Sequence, residues 1–117
     1  AAAQRPDSER KQLNMEKLTA QMQANLSGEL DLDALAATAN LSKFHFIRRF
    51  KAHTGDTPIQ RFIQMKMQRA CELLDSTDKA IKVIASELNY QDAFYFSRIF
   101  KRTIGVSPQK YREQHAI

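Results

Sequence analysis

Apolar residues along this chain recur at helical rather than alternating spacing, in runs separated by short polar or glycine-bearing breaks. Leu13, Leu18, Met22 and Leu26 form a first stripe, with Asp7 and Ser8 as its expected caps and Gly28 as its end. Asp31 caps a short alanine-rich helix from Leu32 to Ala39. Asn40-Leu41 then reads as a tight turn, because asparagine tolerates the left-handed conformation better than most residues. Ser42 caps a helix that runs to Gly55. Thr57-Pro58 opens the longest helix, to about Leu74. Gln60 completes a capping box there, and Phe62, Ile63, Met67, Ala70, Leu73 and Leu74 supply the apolar positions. Ser76-Thr77-Asp78 breaks it. A short helix from Ile81 to Leu88, a turn at Asn89-Tyr90-Gln91, a helix capped by Asp92 and ending at Gly105, and a last short helix opened by Ser107-Pro108 complete the chain. The prediction is an all-α fold of seven helices with no strand.

The pattern repeats. Shifted by fifty residues, positions 42–58 lie on 92–108, and seven of these seventeen pairs are identical: Phe44/Phe94, Phe46/Phe96, Arg48/Arg98, Phe50/Phe100, Lys51/Lys101, Gly55/Gly105 and Pro58/Pro108. Ser42/Asp92 and Thr57/Ser107 exchange one capping residue for another. Upstream the shift becomes forty-nine, pairing Leu35 with Ile84, Ala36 with Ala85 and Asn40 with Asn89. The one-residue slip falls in a turn, where insertion is tolerated. A solenoid needs three or more copies, so two copies indicate a duplicated unit of short helix, turn and second helix, which is the helix-turn-helix plan. The expected organisation is a linker or remnant at 1–9, a first unit at 10–56, a connecting helix at 57–76 and a second unit at 77–117.

Helix geometry sorts the faces of the second helix of each unit. Taking Phe44 as origin and about 100° per residue, Phe46 lies near 200° and Phe50 near 240°, on the buried side. Phe44, Arg48 and Lys51 fall together on the other side, with His45 beside them, and the second copy places Phe94, Arg98 and Lys101 there with Tyr95. Phe44 and Phe94 either pack on neighbouring helices or stand outside for a reason. An outward set of this kind suits a major groove. Arginine bridges guanine O6 and N7, an aromatic touches thymine methyls, and lysine meets phosphate. The connecting helix, read as seventeen residues at about 1.5 Å each, spans roughly 26 Å. Two second helices held by it could enter successive major grooves about 34 Å apart.

Charge sharpens this reading. Residues 1–40 carry four basic and six acidic side chains, a net of −2; residues 41–117 carry fourteen and seven, a net of +7. The basic excess therefore lies with the duplicated part and favours polyanions. With 117 residues and 43% hydrophobic positions the chain can bury a core, which excludes a disordered class, and three glycines with three prolines are too few for an all-β one. No apolar run approaches the eighteen or so residues of a membrane span. The one cysteine, Cys71, lies in the apolar run of the connecting helix and reads as core. The three histidines, His45, His53 and His115, show no zinc-ligand clustering with it. No metal, no cofactor and no catalytic set is expected, and the composition suits the cytoplasm. The start at Ala1-Ala2-Ala3-Gln4-Arg5-Pro6 carries no apolar leader core and reads as the edge of a larger protein cut at a linker.

The densest stretch, Phe94-Tyr95-Phe96-Ser97-Arg98-Ile99-Phe100-Lys101 through Gly105, Ser107-Pro108 and Tyr111-Arg112, resembles the C-terminal signature of the AraC/XylS family of bacterial transcription regulators. The resemblance covers about residues 10–115. It implies two helix-turn-helix units on a central helix, sequence-specific binding of double-stranded DNA, and contact with RNA polymerase. It also implies a separate N-terminal effector or dimerisation domain. Carried over by position, Phe44, His45, Ile47 and Arg48 on the first unit face DNA, and Ala93, Phe94, Tyr95, Ser97 and Arg98 do so on the second. Ser42 and the cations Lys43, Lys51 and Lys101 complete the expected DNA contact, the lysines on phosphates. Ile47 is apolar where a polar reader is common. Arg49 replaces a usual apolar residue that Ile99 keeps. Ala80 and Val83 stand where the family often has a Ser and Glu capping box, and Asn40 and Asn89 occupy its usual glycine turns. The competing expectation is a protein-interaction module that docks on polymerase or a partner regulator through the same faces.

Overall fold

The computed structural model describes residues 12–116. Among them are seven helices and no strand: α1 (Met15–Ala24), α2 (Leu32–Thr38), α3 (Lys43–Thr54), α4 (Pro58–Ser76), α5 (Ile81–Glu87), α6 (Ala93–Ile104) and α7 (Pro108–Gln114). The caps follow the sequence closely. Ser42, Thr57, Asp92 and Ser107 each accept a backbone N–H of the helix they open. Thr57 and Gln60 close a reciprocal capping box ahead of Pro58. Gly55 and Gly105 end α3 and α6 at φ 86° and 106°, a left-handed backbone that a side chain would strain.

Two boundaries differ from expectation. Asp7 and Ser8 lie outside the described residues, and α1 takes Asn14 as its cap, with Oδ1 accepting from Lys17 N at 3.1 Å. Gly28 does not end α1, which stops at Ala24. Asn25 N–H bonds Met22 O (3.1 Å), Leu26 N–H bonds Gln23 O (3.4 Å) and Gly28 N–H bonds Asn25 O (2.8 Å). These tight three-residue turns fold Leu26 into the core although it has left the helix. At the other boundary α4 runs two residues past Leu74, to Ser76, the end of the expected connecting segment 57–76. Ser76 Oγ donates to Glu72 O at 2.7 Å and Thr77 Oγ to Leu73 O at 2.6 Å. Their hydroxyls bond back to the last turn and satisfy its carbonyls as the helix stops, with Thr77 already extended (φ −135°, ψ 164°) inside the expected break.

One hydrophobic cluster joins both units. Phe46 and Phe50 of α3 and Phe96 and Phe100 of α6 have no accessible surface. Each contributes about 1.5–3 kcal/mol by area removed from water. Helix α4 supplies the shared wall through Phe62, Met65, Met67, Ala70, Leu73 and Leu74. It packs against α3 on one side and against α5, α6 and α7 on the other. Cys71 joins this wall half-buried, and burial pushes its thiol pKa up, which keeps it a packing group.

Two cations fix how the elements sit on α4. Lys66 is 6% exposed, and its ammonium donates to Leu88 O at 2.7 Å and to Gly28 O at 3.0 Å. It also lies 4.9 Å from the Phe62 ring centroid and 5.2 Å from that of Tyr90. The two carbonyls belong to the connection ahead of α2 and to the end of α5, so one side chain grips both units. Burial lowers its pKa, partly offset by Glu29. Arg112 of α7 is the second. Its guanidinium donates to Leu74 O (3.1 Å), Thr77 O (3.1 Å) and Lys79 O (2.8 Å), closing the C-terminal end of α4.

Lys66→Met keeps the length of the stem and leaves Leu88 O and Gly28 O without this donor, so a loss of about 1–3 kcal/mol is expected in urea unfolding. Alkaline stability supplies a second check. The Tyr111 hydroxyl sits against Cys71 and donates to Asp75 Oδ2 at 3.2 Å; desolvation, then these neighbours, push its pKa from 10.0 up to about 12. The folded chain holds this proton where the unfolded chain releases it. The contribution is therefore complete below pH 10 and fades as pH rises toward 12. Tyr111→Phe should flatten that part of the stability-pH curve.

Candidate nucleic-acid interface

The helix-turn-helix turns are set by two asparagines. Asn40 (φ 57°) and Asn89 (φ 67°) are left-handed. After α2, Asn40 N–H bonds Ala37 O (3.1 Å) and Leu41 N–H bonds Ala36 O (3.0 Å). After α5, Asn89 N–H bonds Ser86 O (3.0 Å) and Tyr90 N–H bonds Ala85 O (2.8 Å). Each pair is a Schellman motif, the tight stop that a left-handed residue permits. Leu41 and Tyr90, which follow, pack against the core. Both turns therefore launch the next helix from the same hydrogen-bonded frame.

On α3, Ser42 Oγ accepts from His45 N at 3.2 Å. Phe44 stands 67% exposed, with the Arg48 guanidinium 5.6 Å from its ring centroid and the His45 ring edge-on at 6.3 Å. Lys51 is exposed on the same stripe. Lys43 is also exposed, and it reaches Asp33 only at 3.8 Å, a surface pair open to water and worth little. Ile47 is half-buried and packs toward the core, so its side chain is partly turned from the outward face.

On α6, Asp92 Oδ1 accepts from Phe94 N (2.8 Å) and Tyr95 N (3.3 Å). Phe94 is 85% exposed and Tyr95 48%. Arg98 lies 5.8 Å from the Tyr95 centroid, and Lys101 is exposed one turn on. Ala93 and Ser97 are half-buried, Ala93 against the core. The packed-Phe alternative is thus excluded for both phenylalanines. Of the five large apolar side chains exposed among the described residues, three stand on α3 and α6, the others being Ile59 and Val83. The structure groups Phe44, His45 and Arg48 in one cluster and Tyr95 with Arg98 in another. Lys51 and Lys101 flank these clusters without touching their rings. His115 lies apart from His45, at the end of α7, stacked on Tyr111 at 4.0 Å.

Sequence reasoning missed Tyr90 and Lys66. Tyr90 contacts the Tyr95 ring at 6.1 Å, so the turn supports the outward face of α6 from below. A lysine on the apolar stripe of α4, four residues after Phe62 and four before Ala70, was the available signal for Lys66.

Two helix-turn-helix units sharing one wall, each turning an aromatic and cationic helix face to water, define a bipartite DNA-binding domain. The comparisons agree. A helix-turn-helix domain family profile matches residues 35–114. The MmsAB operon regulatory protein of Pseudomonas aeruginosa is 46% identical over 102 residues, covering 87% of this chain and 33% of the regulator. A transcriptional regulator with an AraC-type DNA-binding domain from Chromobacterium violaceum superposes with a TM-score of 0.81 at 25% identity, covering 94% of this chain and 96% of that one. The DNA-binding domain of the global transcriptional factor AdpA, solved with a target DNA, gives 0.75 at 29% identity over 86% of this chain and 90% of that one. The chain belongs to the AraC/XylS-type helix-turn-helix DNA-binding domains. It spans about a third of the length of the curated relatives it matches.

One local weakness bears on the second unit. Ala80 opens α5 with the extended backbone of a cap (φ −61°, ψ 148°) but no side-chain acceptor, whereas Ser107 at φ −66°, ψ 158° supplies one. Ala80→Ser should therefore raise stability by about 0.5–1 kcal/mol, read as a higher urea midpoint at unchanged slope.

Proposed function

We propose that this chain is the DNA-reading module of a bacterial transcription regulator, with α3 and α6 inserted in successive major grooves of one duplex. The observation that carries this is the duplicated outward set, Phe44/Arg48/Lys51 and Phe94/Arg98/Lys101, on helices packed to a single connecting helix. That helix is 19 residues long, roughly 28 Å at 1.5 Å per residue, close to one DNA turn of about 34 Å. Arg48 and Arg98 read bases. Lys43, Lys51 and Lys101 neutralise phosphates, and Ser42, His45, Ile47, Ala93, Tyr95 and Ser97 line the contact. The lengths of the relatives support a separate N-terminal effector or dimerisation domain in the whole protein. RNA polymerase is the partner such a regulator addresses, the cytoplasm its compartment, and binding rather than catalysis its activity.

Selection of duplexes from a random pool at about 150 mM salt, where non-specific binding is weak, tests this directly. Two enriched blocks about one helical turn apart are expected. On that site Arg48→Ala and Arg98→Ala should each lose about 1–3 kcal/mol, with far smaller losses on scrambled DNA. Lys51→Ala should weaken both alike and lower the salt slope by about one. Equal arginine losses on both duplexes would reduce those residues to phosphate contacts.

A further inference from the structure

The two outward faces are alike in sequence and unlike in space. On α3 the arginine and the phenylalanine are engaged with each other: Arg48 lies over Phe44, and His45 closes the other edge of the ring. On α6 the matching arginine leaves its phenylalanine. Arg98 lies over Tyr95 instead. Tyr95 is held by Tyr90, which packs on Phe96 at 5.5 Å and on the Lys66 ammonium at 5.2 Å. The shelf under Arg98 is therefore anchored to the core. Phe94 is left 85% exposed, with no ring or cation against it among the described residues.

A phenyl ring so fully in water has nothing in the domain to offset its exposure. Its place is specific. Phe94 is the second residue of α6, at the N-terminal end that a recognition helix turns toward base edges. It shares its stripe with Arg98 one turn on and Lys101 two turns on, spacings of four and seven residues on one helix face. Among the base edges of the major groove, the thymine 5-methyl is the one apolar feature. We propose that Phe94 is a specificity-determining residue that seats on a thymine methyl beside the base read by Arg98. Phe44, by contrast, is a shelf for Arg48 and reads no base. The proposal rests on the DNA-reading function above and adds to it a division of labour between the two units.

The test uses the 117-residue chain and its selected duplex, with each thymine replaced in turn by uracil, which removes the methyl and keeps the pairing edge. The half-site of the second unit is the block whose base discrimination Arg98→Ala abolishes. One uracil there should weaken wild-type binding about three- to fivefold, the worth of one buried methyl. Phe94→Ala should lose a similar factor on the thymine site and become indifferent to that uracil. Phe44→Ala should keep the uracil effect while losing discrimination at the base read by Arg48. Phe94 is exposed, so its variant should fold, and an unchanged circular dichroism melt verifies that. A flat uracil scan on a site that does carry two enriched blocks overturns this proposal and leaves the DNA-reading function standing. Undiminished uracil sensitivity in Phe94→Ala overturns it as well. Wild-type DNA affinity in Phe94→Ala with loss of self-association or polymerase binding overturns it in favour of a protein contact. Failure to enrich any motif removes the function and the proposal together.

Discussion

The arrangement of this domain depends on a buried lysine. Lys66 is the one charged group in the core among the described residues, and its ammonium spans the carbonyls that close the connection before α2 and the end of α5. An apolar side chain of the same size could fill that space, but it would not specify which part of each unit meets α4. Hydrogen bonds are directional where hydrophobic contact is not. The lysine therefore trades some desolvation, visible in its lowered pKa, for a defined seating of both units on one helix. Arg112 works within the second unit only: its three bonds tie α7 to the end of α4 and to the connection ahead of α5.

From that seating the recognition faces follow by short, local steps. Each Schellman turn fixes the angle between the first and second helix, each cap fixes where the second helix begins, and the buried phenylalanine pair fixes its rotation about its own axis. Phe46 and Phe50, or Phe96 and Phe100, can be fully buried only in one rotation. That rotation leaves residues 44, 48 and 51, or 94, 98 and 101, in water. The outward set is thus a consequence of core packing, which is why it recurs in both units although their intervening residues differ.

The helices, their caps and both turns were legible because each has a local chemical cause: a hydroxyl or carboxylate before a helix, an asparagine or glycine after it, phenylalanines at helical spacing. The ends of α1 and α4 were not. Whether Leu26 leaves the helix but stays in the core, and whether the last turn of α4 closes at Leu74 or at Ser76, is decided by what the neighbouring helices leave open. The outward positions of Phe44 and Phe94 could be read from the duplication. Their difference could not, since the same Phe-x-x-x-Arg spacing yields a contact in α3 and none in α6. The outcome in α6 turns on Tyr95, where α3 has His45, and on Tyr90 beneath it, where the first unit has Leu41. Lys66 was hidden for the same reason: its two acceptors lie 38 and 22 residues away in sequence.

That difference between the faces has a consequence for how two linked readers find their place. Two modules joined rigidly gain affinity because the second binds from a high effective concentration, provided the spacing matches. If both read the same bases, a molecule displaced by one half-site would still satisfy one reader fully, and the register would be weakly fixed. Unequal readers remove that degeneracy, because each half-site then rejects the wrong unit. Tyr95 against His45 and Ser97 against Ile47 make the two faces chemically distinct, and they leave Phe94 bare where Phe44 carries Arg48, while Lys51 and Lys101 place the same cation on both. On the proposed function, the retained lysines supply attraction in any register, and the diverged residues select one. Directionality on the duplex then follows from the asymmetry of a duplicated fold, without a second subunit to impose it.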